Sequence, residues 1–268
     1  MTLAHDSDFV KLCLEIPHDI EHVLKMKPIE RIARKAEPII PEKVIKNIRP
    51  LFYTAELFLM KIGLISLDDL YDEEFFMNHL EDGWLKENEL ITELIYDKFE
   101  PKSVVDFGCG SGTYLYFFSK LGVNKVKGFE GSQNAIELAL IDEEYIDKCD
   151  ITKKVKLNDT YDLCICFEVA EHLPEDCVDA FLDNLCSSSA TILFTAAPPG
   201  QGGRHHVNLK PVQYWIQKFD ERHYCYQKSL TDEFKKEWVS GILSYSEMYW
   251  CSVKTQESTL RHHYLYIQ

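Results

Sequence analysis

Two groups of residues have the types and spacing to do chemistry. The first is Asp106-Phe-Gly108-Cys-Gly110-Ser-Gly112, with Glu130 further along the chain. Glycines at alternate positions let backbone amides approach a ligand with no Cβ in the way. A carboxylate about twenty residues later, ending a second strand, suits the two hydroxyls of a ribose. Asp106 would repel a pyrophosphate, so a cationic or zwitterionic ligand suits this loop better than a dinucleotide. The second group is Glu168-Val-Ala-Glu171-His172, followed by the glycine-rich run that leads to Arg204-His205-His206-Val-Asn208. If the chain enters a helix there, Glu168, Glu171 and His172 share a face at i, i+3 and i+4, and the later loop folds back across the same edge with His205 and His206. Two carboxylates and neutral imidazoles can hold a divalent cation such as Mg²⁺ or Mn²⁺, which lowers the pKa of a bound hydroxyl. Without a metal, His206 or His172 is the general base, with Glu168 beside it. Either way the attacking atom is an oxygen.

Positioning these groups requires a particular scaffold. Short apolar runs at Ser103–Phe107, Val126–Phe129, Leu163–Phe167 and Thr191–Thr195 alternate with helical stretches, the first being Tyr114–Leu121. Strand and helix in alternation predict an α/β fold with a parallel sheet covered on both faces, its ligands at the carboxyl ends of the strands. Met248–Thr255 and Leu260–Ile267 read as two more strands. Upstream, from Ile16 to Glu100, the period is helical, and Pro28, Pro38, Pro41 and Pro50 divide it into short helices. The resulting division is a helical N-terminal region over residues 1–83 and a catalytic domain over 84–268. Tyr71–His79 lies just before that domain, where its aromatics either form a lid or dock the helical segment onto the sheet.

The order of these motifs resembles the class I S-adenosylmethionine-dependent methyltransferases, from Trp84 to the C-terminus. That resemblance implies a Rossmann-like seven-stranded sheet with S-adenosylmethionine as cofactor. It places Asp106 near the methionine amino group, Gly108, Gly110 and Gly112 under the cofactor, Glu130 on the ribose, Asp150 and Ile151 beside the adenine, and Phe167 at the end of the fourth strand. The ExxEH element with a later histidine is similar to methyltransferases acting on the 2′-hydroxyl of small-RNA 3′ ends and to catechol O-methyltransferases of the ubiquinone pathway. In both branches the resemblance implies a metal, here held by Glu168, Glu171, His172, His205 and His206. The Ala-Ala-Pro-Pro-Gly-Gln-Gly-Gly loop with His-His-Val-Asn resembles bacterial and viral methyltransferases associated with glycans. The expectation is an O-methyltransferase acting on a sugar hydroxyl, with a catechol-like small molecule, an RNA 3′ end or a non-catalytic binding module as alternatives.

Composition narrows the partners. Across 268 residues, 29 Lys and Arg face 44 Asp and Glu, a net charge of −15, which disfavours an extended nucleic-acid partner. A small-molecule or glycan acceptor fits better. The nine cysteines form no CxxC pair, and the first residues lack a basic and apolar leader, so the expected setting is cytoplasmic, with reduced thiols and no membrane. Leu51–Leu67 carries Glu56 and Lys61 and reads as an amphipathic helix. His18-Asp-Ile-Glu21-His22 matches a zinc-peptidase string, but it lacks a recognisable third ligand and is assigned to a solvated helix.

Overall fold

The computed structural model describes Tyr53 and residues 55–241, 251–252 and 264–267. The expected helices between Ile16 and Pro50, and the His18–His22 string, lie outside the described residues. The chain divides into two compact units, Met1–Leu70 and Tyr71–Gln268. In the first, residues 55–61 are helical and Leu67–Leu70 forms one further turn. No helix among the described residues is long and apolar enough to cross a membrane.

The second unit begins with α1 (Glu73–Asn78), whose N-terminus is capped by Asp72, the side chain accepting from the Phe75 amide. Helix α2 (Asp82–Phe99) ends at Glu100, in the left-handed region at φ 41°, where Pro101 prevents its continuation. Strand β1 (Ser103–Phe107) is buried throughout, as a central strand covered on both faces must be. There follow α3 (Thr113–Lys120), β2 (Lys125–Glu130), α4 (Gln133–Glu137), β3 (Ile146–Lys148), β4 (Leu163–Cys166), α5 (Val178–Ser188), β5 (Thr191–Phe194), α6 (Val212–Asp220) and α7 (Lys228–Gly241).

Strands β1 to β5 form a parallel sheet in the order β3-β2-β1-β4-β5. In register, Val104 of β1 lies between Val126 of β2 and Leu163 of β4. The chain therefore winds outward from β1 through β2 to β3, then returns to the other side of β1 as β4. The strand order reverses between β1 and β4, so their carboxyl ends open the crevice where such sheets bind ligands. At the β5 edge, Cys251–Ser252 pairs antiparallel and Tyr264–Ile267 pairs parallel. Of these strands, β3 has no signal in the sequence: its three residues include exposed Asp147 and Lys148, and only Ile146 is buried.

Alternate residues of each strand feed two separate cores, as the two-residue period requires. Val105, Phe107, Cys164, Cys166, Ile192 and Phe194 pack with Phe181 and Leu185 of α5 and Trp215 and Phe219 of α6. Val104, Leu163, Ile165 and Leu193 pack on the opposite face with Ile91 and Ile95 of α2, Leu115 and Phe118 of α3, and Phe234 of α7. The doubly wound, Rossmann-like architecture expected from the strand and helix alternation is thus present over its five parallel strands.

One polar side chain pins the loop after β3 to this scaffold. Asn184 of α5 is buried; its amide donates to the carbonyls of Ile151 (3.0 Å) and Lys153 (2.8 Å), and its oxygen accepts from the Val155 amide at 2.9 Å. Asn184→Ala is expected to lower stability by about 1–3 kcal/mol, because it leaves the buried Ile151 carbonyl and two half-buried backbone groups without this partner. The check is the midpoint of denaturant unfolding followed by circular dichroism.

Candidate active site

The loop after β1 carries three glycines at positive φ: Gly108 (76°), Gly110 (53°) and Gly112 (66°). The turn is held from below, because the Gly108 and Cys109 amides both donate to the Phe129 carbonyl, at 2.8 and 3.3 Å. At Gly110 a Cβ would meet nothing within 4 Å, so this glycine borders open space, which a bound ligand can occupy. Glu130, at the end of β2, accepts from the Gly110 amide at 2.8 Å and from the Gly131 and Ser132 amides at 2.8 Å each. The carboxylate assigned to a ribose thus also ties the glycine loop to β2. Asp106 is 3% exposed; burial first, and the Glu130 charge second, push its carboxyl well above the usual range. Two acids in a desolvated corner favour a cationic neighbour, which fits the ammonium and sulfonium of S-adenosylmethionine.

The remaining expected cofactor contacts are more dispersed. Phe167 packs its ring against Tyr114 in a T-shaped pair with centroids 5.1 Å apart. Ile151 is buried in the core beside α5, whereas Asp150 is exposed and paired with Lys153 at 2.8 Å.

The acid-rich segment after β4 differs from the expected helical entry. Glu168 takes φ 55°, and Ala170–His172 is a single 3-10 turn. The i, i+3, i+4 face therefore does not form. The cause is the tight bend after β4, where the Glu168 amide donates to the Thr195 hydroxyl at 2.9 Å. A different arrangement brings the ligands together. The Glu171 carbonyl accepts from the Val207 and Asn208 amides at 2.8 and 2.9 Å, which docks the later loop onto the turn. Glu171, His172 and His206 each then offer a ligand atom, all within 4.8 Å of one another. Glu168 and His205, expected in the same set, flank this trio. His205 turns its carbonyl to His172 Nδ1 (3.3 Å) and its ring to Tyr71, with centroids 5.7 Å apart.

Burial sets the electrostatics. Glu171 is fully buried, and desolvation followed by the Glu168 charge raises its carboxyl well above the ordinary range. Burial raises Glu168 as well, against hydrogen bonds from Thr195 and Gln201 that favour its ionised form. The two acids thus behave as a coupled pair that a proton or a cation relieves. The imidazoles shift the other way. Burial, then the neighbouring His206, lowers His172 to about 3. Burial and the Arg204 charge lower His205 to about 4, and burial lowers His206. All three rings are neutral at pH 7, with lone pairs able to ligate a metal and little basicity toward a proton. The Glu171 carboxylate meets Glu168 and the Ala197 backbone, and neither of its oxygens, nor His206 Nδ1, makes a hydrogen bond of good geometry among the described residues. Carboxylate oxygens and a neutral imidazole nitrogen so placed form a donor set that fits a divalent ion.

Further residues, whose parts in the site the spacing arguments did not assign, complete the surroundings. Tyr71 places its hydroxyl 2.9 Å from His172 Nδ1. Asp72 pairs with Arg204 at 3.3 Å, and the Arg204 guanidinium lies 5.5 Å from the centre of the Phe75 ring. Thr195 orients the Glu168 bend. The Tyr71–His79 segment was singled out as a lid or a docking element, yet nothing in the sequence couples a tyrosine to a histidine 101 positions away.

A family model described as a methyltransferase domain matches residues 81–236. No curated protein matches the chain. Among solved structures it is similar to the methyltransferase domain of bacterial CtHen1, with 18% identity over 53% of this chain and 87% of that one and a TM-score of 0.44. It is also similar to the plantazolicin methyltransferase BpumL, solved with a pentazolic desmethylPZN analog and SAH (16% identity, 70% and 82% covered, TM-score 0.47). A third is the magnesium protoporphyrin IX methyltransferase ChlM from Synechocystis PCC 6803 with bound SAM (16% identity, 74% and 87% covered, TM-score 0.45). With more than half of its length matched by the family model, the chain belongs to the methyltransferase-domain family and is an S-adenosylmethionine-dependent methyltransferase.

Proposed function

We propose that the protein transfers the methyl group to a hydroxyl of a sugar or glycan, with a divalent cation held by Glu171, His172 and His206. The observation that carries this is the convergence of those three ligand atoms within 4.8 Å, directly beside the glycine loop. A Cβ on Gly108 would lie 2.5 Å from Val169, so the acid turn packs against the loop assigned to the cofactor. Asp106, Gly108, Gly110, Gly112 and Glu130 would hold S-adenosylmethionine, with Asp150 and Ile151 toward the adenine and Phe167 at the β4 end. When bound, this cofactor supplies a methyl group on a positively charged sulfur. The chain's own residues bind it, align the acceptor hydroxyl and accept that hydroxyl's proton. Alignment alone removes several kcal/mol from the barrier.

A cation chelated by neighbouring hydroxyls favours acceptors that carry a diol, and the −15 charge favours a neutral acceptor over a polyanion. In a metal-free version His206 is the better general base, because His172 is lowered to about 3 and is too weak a base to compete for the proton. We assign residues 84–268 to the catalytic domain, with the segments at the β5 edge completing a seven-stranded sheet, and residues 1–83 to a helical extension. A cytoplasmic setting accords with the cysteine content.

Calorimetry with S-adenosylmethionine checks the cofactor assignment. Glu130→Ala is expected to weaken binding at least tenfold, since it removes the ribose contact and releases the Gly110 amide. Gly110→Val is expected to abolish binding while the protein remains folded, because its side chain would enter the open space beside the loop and a β-branched residue is strained at φ 53°.

A second experiment addresses metal and acceptor together. After exhaustive chelation, activity on a panel of rhamnosides and catechols is expected to fall and to return with Mg²⁺ or Mn²⁺. Glu171→Ala is expected to lose activity about 10–100-fold, and acceptors lacking the second hydroxyl to react slowly. Full activity in the chelated enzyme, with Glu171→Ala unimpaired, would remove the metal and leave the histidine base.

A further inference from the structure

His172 sits at the centre of the proposed site, and which of its two nitrogens carries the proton decides what it can do. A neutral imidazole offers one donor and one acceptor. Nδ1 has two oxygen neighbours, the Tyr71 hydroxyl at 2.9 Å and the His205 carbonyl at 3.3 Å. A hydroxyl can donate or accept, whereas a carbonyl can only accept. The His172 ring meets two backbone carbonyls, those of His205 and Arg204; with the proton on Nδ1, the His205 carbonyl and the Tyr71 oxygen both accept from that N–H, and Nε2 keeps its lone pair. The hydroxyl is held in place from several sides. The Tyr71 ring lies edge-on to both His172 and His205, with centroids 5.7 Å apart in each case. Its backbone carbonyl accepts from the Asn134 side chain at 3.0 Å. The next residue, Asp72, caps α1 and pairs with Arg204, the neighbour of His205.

We propose that Tyr71 is a positioning residue whose hydroxyl, together with the His205 carbonyl, fixes His172 in the Nδ1–H tautomer and thereby leaves Nε2 as the ligating or proton-accepting nitrogen. This deepens the proposed function and rests on it for the use made of Nε2. The tautomer itself is independent of acceptor, metal and turnover. It also gives the Tyr71–His79 segment a role that neither a lid of apolar rings nor simple docking requires, because a lid would need only the ring and this role needs the oxygen.

The test uses the full chain labelled with ¹⁵N. Long-range ¹H–¹⁵N correlation spectra distinguish the two tautomers, and His172→Asn identifies the His172 signals. Wild type is expected to show Nδ1–H. Tyr71→Phe keeps the ring and removes only the oxygen, and it is expected to raise the Nε2–H population severalfold. Calorimetry should then show Mn²⁺ bound about tenfold more weakly, as for other partners of ligating histidines, with S-adenosylmethionine affinity unchanged. An Nε2–H tautomer in wild type, or an unaltered His172 spectrum in Tyr71→Phe, overturns the proposal. If Mn²⁺ fails to bind wild type, the metal in the proposed function falls while the tautomer still decides the role of Tyr71. Should Tyr71→Phe not fold, Asn134→Ala, which removes the side-chain hydrogen bond to the Tyr71 carbonyl, is expected to give the same shift, and an unchanged spectrum there overturns the proposal.

Discussion

Buried negative charge at one end of the sheet is the constraint around which this molecule is arranged. Asp106, Glu130 and Glu171 are all nearly inaccessible, and Glu168 stands next to Glu171. Isolated carboxylates in such surroundings cost several kcal/mol each and shift toward their neutral forms. The protein meets that cost in two ways. Backbone amides serve Glu130 directly, and the two apolar cores on either face of β1, β4 and β5 supply the burial that tolerates the rest. A site prepared in this way favours positive charge, whether as a sulfonium with its ammonium at Asp106 or as a divalent ion at Glu171.

Much of this was legible before any coordinates. The strands at Ser103–Phe107 and Leu163–Cys166 announce themselves as continuous apolar runs, which only doubly covered strands can afford. The glycine loop is equally visible, because alternate glycines after such a strand have few other uses. Strand β3 escaped because an edge strand of three residues with two exposed charges carries no pattern of its own; its position follows from pairing with β2.

The acid-rich turn shows the opposite limit. Spacing marks Glu168, Glu171, His172, His205 and His206, but for a helical face that does not form, since Glu168 leaves the helical region and the turn is 3-10; the structure brings Glu171, His172 and His206 together by another route. The histidine loop is brought in by two amides on one carbonyl, a contact made by backbone groups that every residue possesses. Sequence patterns report side chains. They are silent about which carbonyl a distant loop will find, and equally about Tyr71, whose partner His172 is 101 positions away.

The near-contact of Gly108 and Val169 ties these two regions into one mechanical body. A Cβ at Gly108 would come within 2.5 Å of a Val169 methyl, so the glycine loop packs closely on the residue between Glu168 and Ala170. Binding free energies linked through such a contact are reciprocal: whatever factor the cofactor adds to affinity on the acid side, occupation of the acid side returns to the cofactor. Any coupling between a ligand at the glycine loop and one at the acid turn therefore runs equally in both directions, and the two segments meet at this pair of residues.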